Sequence, residues 1–333
     1  MKLVTYRRGA AAARSGALVD DGTAIVDLLE ASLARGASNT SDTRLASIQA
    51  MIDAGEDALD LAYEAVSKAP QGARSPRADV VLEAPVPVPI QMRDCLCFEG
   101  HLVNAFPNLR RLYANQFDDP AAKLAELERK GTLTVPQVFY QQPIYYKANR
   151  FAVVGTDHDI RWPHYSKVLD FELEFGVFIK KRALDVSKGQ ARDYIYGYTI
   201  FNDFTARDTQ IAEMGGLGPA KAKDFDTANA MGPCLVTADE LTDPYNLTMV
   251  ARINGEEVTR GNSKTMHWNF EDVIAHVSKS ETLYPGEFLG SGTVEGGCGL
   301  ELMRFLAPGD VVELEIDGIG TLRNRVVRPE VRP

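Results

Sequence analysis

The stretch that decides the fold is Leu169 to Phe178, LDFELEFGVF, in which Asp170, Glu172 and Glu174 alternate with Phe171, Leu173 and Phe175. Side chains on a strand repeat every two residues, so the alternation predicts a β-strand with its carboxylates on one face and its apolar groups on the other. Like charges at that spacing repel. Either water solvates the face, as on an amphipathic strand, or a cation neutralises it, and hard divalent ions are the usual partners of clustered carboxylate oxygens. Outward from this stretch the pattern is of short β runs: Phe151 to Val154, Leu235 to Val236, Leu247 to Ile253, Phe288 to Ser291 and Val311 to Ile316. Turns such as Asn254-Gly255 and Pro285-Gly286 separate them. Helical spacing is clearest at Phe270 to Ser278 and at Pro120 to Lys130, the latter with Asp118 or Asp119 as cap and in a position to cover a site. The body reads as mainly β with some α.

Upstream, a small N-terminal α+β domain is expected over residues 1–80, with strands at Lys2 to Tyr6 and Ala17 to Val19 and helices at Leu45 to Ala54 and Ala58 to Ser67. Pro85, Pro87 and Pro89 then enforce an extended path, and a larger domain follows over residues 90–333. Two domains suit 333 residues at roughly 150 per domain. Lys and Arg number 36 against 46 Asp and Glu, a net charge of −10 that disfavours nucleic acid and anionic membranes as partners and favours small molecules. Cys95, Cys97, Cys234 and Cys298 form no C-x-x-C pair, so neither a disulfide framework nor a thiolate zinc site is expected. Arg14 interrupts the small-residue run near the start, and no stretch approaches 18 uninterrupted apolar residues, so the expectation is a chain neither exported nor membrane-spanning, cytoplasmic in location. The glycine signatures of dinucleotide and P-loop sites are absent, as are H-E-x-x-H and G-x-S-x-G.

Three further segments could carry chemistry. Gly197 to Gln210, GYTIFNDFTARDTQ, begins as a β run and crowds Asn202, Asp203, Arg207, Asp208 and Gln210 at its end, which also fits a loop with a helix cap. In Met92 to His101, MRDCLCFEGH, Asp94 precedes His101 by seven residues. The other histidines, His158, His164, His267 and His276, are explained by packing. Two glycine-rich stretches complete the set: GGLGPAKAKDFDT at 215–227, with Lys221 and Lys223, and GSGTVEGGCGLEL at 290–302, whose backbone N–H groups could approach an anion. Cysteine chemistry at Cys95 or Cys97 is a weaker alternative to buried, inert thiols.

Taken in order, LDFELEF, NDFTARDTQ, GPAKAKDFDT, MGPC, INGEEV, YPGEFLGSGT and IGTLRNRV resemble the fumarylacetoacetate hydrolase superfamily, whose catalytic domain carries E-x-E, N-D-x-x-A-R-D-x-Q, a lysine loop and S-G-T. The resemblance spans Met92 to Val326, and the longer architecture is similar to fumarylacetoacetase-type members. It implies a mixed β-sandwich roll beside the small N-terminal domain. It also implies that Asp94, Glu172, Glu174 and Asp203 hold Mg²⁺, or Ca²⁺ or Mn²⁺, and that His101 activates water with Glu301 orienting it. Lys223 and Gln210 would stabilise an oxyanion, and Arg110, Tyr146, Gln210, Lys223 and Thr293 would contact substrate.

The activity so implied is hydrolysis of a C–C bond in a β-diketone or acylpyruvate-type acid, fumarylacetoacetate among the candidates, in aromatic-compound breakdown such as tyrosine degradation. The alternative is a metal-dependent decarboxylase, isomerase or hydratase of 2-oxo acids, and a third possibility is a non-catalytic ligand-binding protein. A homodimer is implied as well. Two departures loosen the substrate: Leu96 stands where fumarylacetoacetases carry a tyrosine, and Asp224 where many relatives carry a serine.

Overall fold

The computed structural model describes residues 1–36, 43–214 and 218–329. Residues 215–217, the start of the first glycine-rich stretch, lie outside the described residues. A 12-stranded sheet organises the molecule, and its main path runs from Arg74–Pro76 through Ala24–Asp27, Arg14–Val19 and Lys2–Arg7 to Asn229–Thr237. It continues through Ile195–Asp203, Leu173–Ile179, Phe288–Gly290 and Met92–Cys95 to Tyr145–Lys147. The N-terminal strands therefore join the sheet that carries the acidic segment, by antiparallel pairing of Lys2 with Val236 and Leu3 with Leu235.

A five-stranded sheet of Glu256–Asn262, Thr248–Ile253, Val311–Ile316, Gly320–Val327 and Asp159–Arg161 forms a second layer. Between the layers lies the principal core, which includes Phe171, Phe175, Tyr198 and Phe270. Phe175 meets Phe270 edge to face at 5.0 Å. Phe270 opens the helix Phe270–Val277, whose capping box joins Asn269 and Asp272. The mainly β character with some α is as the sequence pattern implies.

The segment Leu169 to Phe178 is interrupted. Leu169–Asp170 pairs with Thr205–Ala206 in a separate two-stranded ladder, and Leu173–Ile179 enters the large sheet. The run at residues 235–236 belongs to a longer strand, Asn229–Thr237. Its register shift falls between Gly232 and Val236, where Gly232 and Pro233 interrupt the strand signal. Gly197 to Gln210 is a strand followed by the helix Arg207–Met214, not a loop.

The sequence pattern missed the strands Glu256–Asn262 and Gly320–Val327 and the longest described helix, Glu99–Ala114, with Pro107 inside it. The helix's signal was present in Leu102, Ala105, Phe106 and Leu109, spaced as one helical face, but a proline in the middle argues against a helix. The helix Pro120–Arg129 packs against it, capped by Asp119, which accepts from Ala122 N at 3.0 Å. No helix among the described residues is long and apolar enough to cross a membrane.

Candidate active site

Strands of the large sheet bring the acidic residues together from distant parts of the chain. Glu174 pairs with Phe201, two residues from Asp203, while Gly176 pairs with Gly290 and Gly290 with Asp94. The glycine matters here: a Cβ on Gly290 would lie 2.4 Å from Asp94 Oδ1. Asp170, Glu172 and Glu174 are at most 4% exposed, which excludes the solvated strand face. Buried carboxylates need cations or protons.

The structure assigns the three different partners. Asp170 Oδ2 accepts from Arg207 Nε at 2.7 Å, and its oxygens also take the amides of Gly299 and Leu300 at 2.7 and 2.9 Å. Glu172 accepts from Arg207 Nη2 at 2.7 Å through one oxygen and from Lys223 Nζ at 2.6 Å through the other. Glu174 instead gathers with Asp94 and Asp203, one oxygen of each lying within 4.8 Å of the others. Of the four ligands expected, these three cluster, while both oxygens of Glu172 are engaged by cationic side chains beside them.

The cluster has the properties of a cation site. Glu174 Oε2 and Asp203 Oδ1 are buried with no hydrogen-bond partner. Burial, reinforced by the charge of Asp203, pushes the Asp94 carboxyl up to about 7. Burial likewise lifts Asp203 to about 6 against the pull of Lys223, and burial with the charge of Asp94 carries Glu174 well above the carboxylate range. For Glu172, burial acts upward but Lys223 and Arg207 outweigh it, holding the group at about 2. A hard divalent ion among Asp94, Glu174 and Asp203 would satisfy the orphaned oxygens, so the donor set fits the metal that the sequence implies.

Across the cavity, His101 in the first turn of Glu99–Ala114 places Nδ1 2.7 Å from Glu301 Oε1. Glu301 is anchored through its other oxygen by the amide of Gly296 at 2.8 Å. Lys223 Nζ also donates to Thr205 Oγ1 at 3.0 Å and to Asp203. Burial pulls its pKa down, but Asp203 and Glu172 more than reverse this, so it stays an ammonium. Tyr146 donates to Asp203, Thr293 Oγ1 to Glu174 at 3.2 Å, and Gln210 Oε1 accepts from Arg207 Nη1 at 2.9 Å. His101, Lys223, Tyr146, Thr293, Glu174, Gln210 and Arg207 line one cavity of about 440 Å³, together with Asp94, Glu172 and apolar residues such as Leu96, while Asp203 and Glu301 contact that lining without forming part of it.

Arg110 does not join them. Its position on the helix turns the guanidinium to the carbonyl of Leu133 at 2.7 Å, away from the cavity lining. Two residues absent from the expected set, Arg207 and Asp170, form the ion pair beneath the site. The signal that could have found them is the lack of any other way to neutralise three carboxylates in so apolar a segment. All four cysteines are free and buried, and burial raises the Cys97 and Cys298 thiols, which removes support for a cysteine nucleophile.

Residues 119–327 match the family model described as fumarylacetoacetate (FAA) hydrolase C-terminal. The chain belongs to that family. It is 40% identical over 183 residues to an uncharacterized protein, MJ1656, of Methanocaldococcus jannaschii, covering 55% of this chain and 72% of that one. It is 37% identical over 191 residues to the mitochondrial oxaloacetate tautomerase FAHD2A of Homo sapiens, covering 56% of this chain. That match spans only 60% of the human protein's length. Among solved structures, maleylpyruvate hydrolase of Sphingobium sp. SYK-6, in complex with manganese(II) and pyruvate, superposes with a TM-score of 0.69 at 22% identity, covering 99% of this chain and 100% of that one. At that identity the likeness is one of fold.

Proposed function

We propose that this member of the fumarylacetoacetate hydrolase family is a metal-dependent enzyme that moves a proton on a small 2-oxo or diketo acid, interconverting its keto and enol forms. The observation that carries the reading is that His101, held by Glu301, the Lys223 ammonium, Asp94 and Glu174 line one cavity, with Asp203 completing the carboxylate cluster. Similarity to an oxaloacetate tautomerase favours the isomerase alternative over C–C hydrolysis.

Enolisation removes a proton from C3 and places negative charge on the 2-oxo oxygen. In the neutral tautomer that donates Nδ1–H to Glu301, the Nε2 of His101 is free to accept the C3 proton and return it. Glu301 stabilises the imidazolium that forms, held in place by the Gly296 amide. Lys223, too strongly paired to act as a base, exchanges its bond to the neutral Thr205 hydroxyl for one to the charged oxygen. When bound by the three carboxylates, a divalent ion supplies further neutralisation of that charge.

The 2.7 Å contact of His101 with Glu301 also supports a second reading, C–C hydrolysis, in which the same nitrogen takes its proton from water. Enol absorbance, followed with Mg²⁺, Mn²⁺ or EDTA and with products identified by NMR, separates the two. The expected result is metal-dependent interconversion with no new acid formed, slowed about a hundredfold or more in His101→Gln. Appearance of two carboxylic acids would replace tautomerisation with hydrolysis.

A further inference from the structure

Beside the reacting groups stands a thiol that the mechanism does not use. Cys298 is fully buried, and its sulfur donates to Glu301 Oε1 at 3.6 Å, the same oxygen that lies 2.7 Å from His101 Nδ1. One ring nitrogen of His101, the sulfur of Cys298 and one oxygen of Glu301 lie within 4.8 Å of one another. The backbone holds the three in place. Cys298 forms an antiparallel bridge with Glu172, and the amides of Gly299 and Leu300 that follow are fixed by Asp170. Asn108, on the same helix as His101, ties that helix to this segment by donating to the carbonyls of Leu300 and Glu301 at 3.0 and 3.1 Å.

This donor set differs in kind from the all-oxygen cluster of Asp94, Glu174 and Asp203. Hard ions take oxygen, whereas a set that mixes imidazole and thiolate selects zinc-like ions. Ordinary bond lengths around a tetrahedral Zn²⁺ set sulfur and oxygen about 3.6 Å apart, matching the separation of Cys298 and Glu301. They set nitrogen and oxygen about 3.4 Å apart, so His101 and Glu301 need to part by about 0.7 Å. The neighbouring Arg207 guanidinium is neutralised by Asp170 and Glu172. A thiol raised by burial is a poor nucleophile but still a ligand, because the coordinating ion displaces its proton.

We propose that His101, Cys298 and Glu301 form a second metal site, selective for Zn²⁺ or Cd²⁺ over Mg²⁺, whose filling arrests proton transfer at His101. The ion bonds to Sγ, to Nδ1 and to a Glu301 oxygen. The thiol proton leaves to solvent, and the Nδ1 proton is exchanged through solvent for one on Nε2, so one proton is released per ion. Nε2 then carries a hydrogen and cannot accept another. The arrest rests on the reading of His101 as the base, whereas the metal site does not.

Titration of the full chain with Cd²⁺ in excess Mg²⁺, following the ultraviolet sulfur-to-metal charge-transfer band, tests the site. Enol absorbance of oxaloacetate in Mg²⁺, with and without Zn²⁺, tests the arrest. The expected band saturates at one equivalent in the wild type and is absent from Cys298→Ser, Cys298→Ala and His101→Gln, each checked for an unchanged melting profile. Zn²⁺ is expected to slow interconversion about a hundredfold or more in the wild type and to leave Cys298→Ser, equally active without zinc, unaffected. No band in the wild type, or a band of equal size in the variants, overturns the site, as does equal inhibition of wild type and Cys298→Ser by zinc. If the band behaves as expected but zinc leaves interconversion untouched, the site stands and the reading of His101 as the base fails. If no band forms while interconversion proceeds in Mg²⁺, the proposed reaction stands and the site fails.

Discussion

Arg207 decides how the acidic strand is divided. Its guanidinium takes Asp170 and one oxygen of Glu172, which leaves Glu174 to face Asp94 and Asp203. Arg207→Met removes the cation paired with buried Asp170 and one of the two held by Glu172, so it is expected to destabilise the fold by about 3–5 kcal/mol, measured by urea unfolding. Lys223→Ala also takes a cation from buried Glu172 and Asp203, and on the proposed mechanism it removes a donor to the reacting oxygen, so kcat is expected to fall about a hundredfold in protein shown by its melting profile to be folded. Much of the site was legible at this scale. Alternation singled out the three carboxylates of one strand, and the ordered motifs of the family resemblance, not local spacing, assigned roles to Asp94, His101 and Lys223, which with Glu174 line one cavity. The engagement of Glu172 and the turning away of Arg110 were not legible, because each depends on which way a long cationic side chain points after folding.

At the scale of elements, alternation and turn residues located about half of the strands, and apolar spacing located the helices at 48–54, 56–67 and 270–277, with a cap residue marking the one at 120–129. The helix Glu99–Ala114 was hidden by Pro107, although it positions His101 and much of the cavity's apolar lining. The joint between the strand Ala24–Asp27 and the helix Leu28–Ala34 offers a test of a different kind. Asp27 caps that helix through the Glu30 amide at 2.8 Å, accepts from Tyr6 at 2.6 Å and pairs with Arg14, one of whose contacts is 2.9 Å. Burial alone would raise its pKa, but Arg14, Tyr6 and the Glu30 amide hold it below the ordinary 3.8. The stability it contributes is therefore fully present above that ordinary value and is lost as pH falls through the depressed folded value. Asp27→Asn is expected to cost about 2 kcal/mol at pH 7. Melting at descending pH should show the gap between wild type and variant closing below pH 4.

For the whole molecule, the large sheet buries three neighbouring carboxylates, with no cationic side chain among the described residues paired with Glu174, and a bound divalent ion would relieve that arrangement. Mn²⁺ or Mg²⁺ at about a hundred times Kd is expected to stabilise the wild type by about 2.7 kcal/mol and to raise its Tm. Glu174→Gln should show little or no such shift. The mainly β architecture was legible because two-residue alternation is a local signal. The joining of the N-terminal strands to the large sheet was not, since pairing between residues 2 and 236 leaves no mark on either local pattern.

The most direct test of the account is solvent-deuterium exchange at C3 of a 2-oxo acid, read by NMR, in wild-type protein with Mn²⁺, the same protein with EDTA, and Glu174→Gln with Mn²⁺. The account predicts rapid exchange in the first sample and only the uncatalysed rate in the other two. Equal exchange in all three would contradict it.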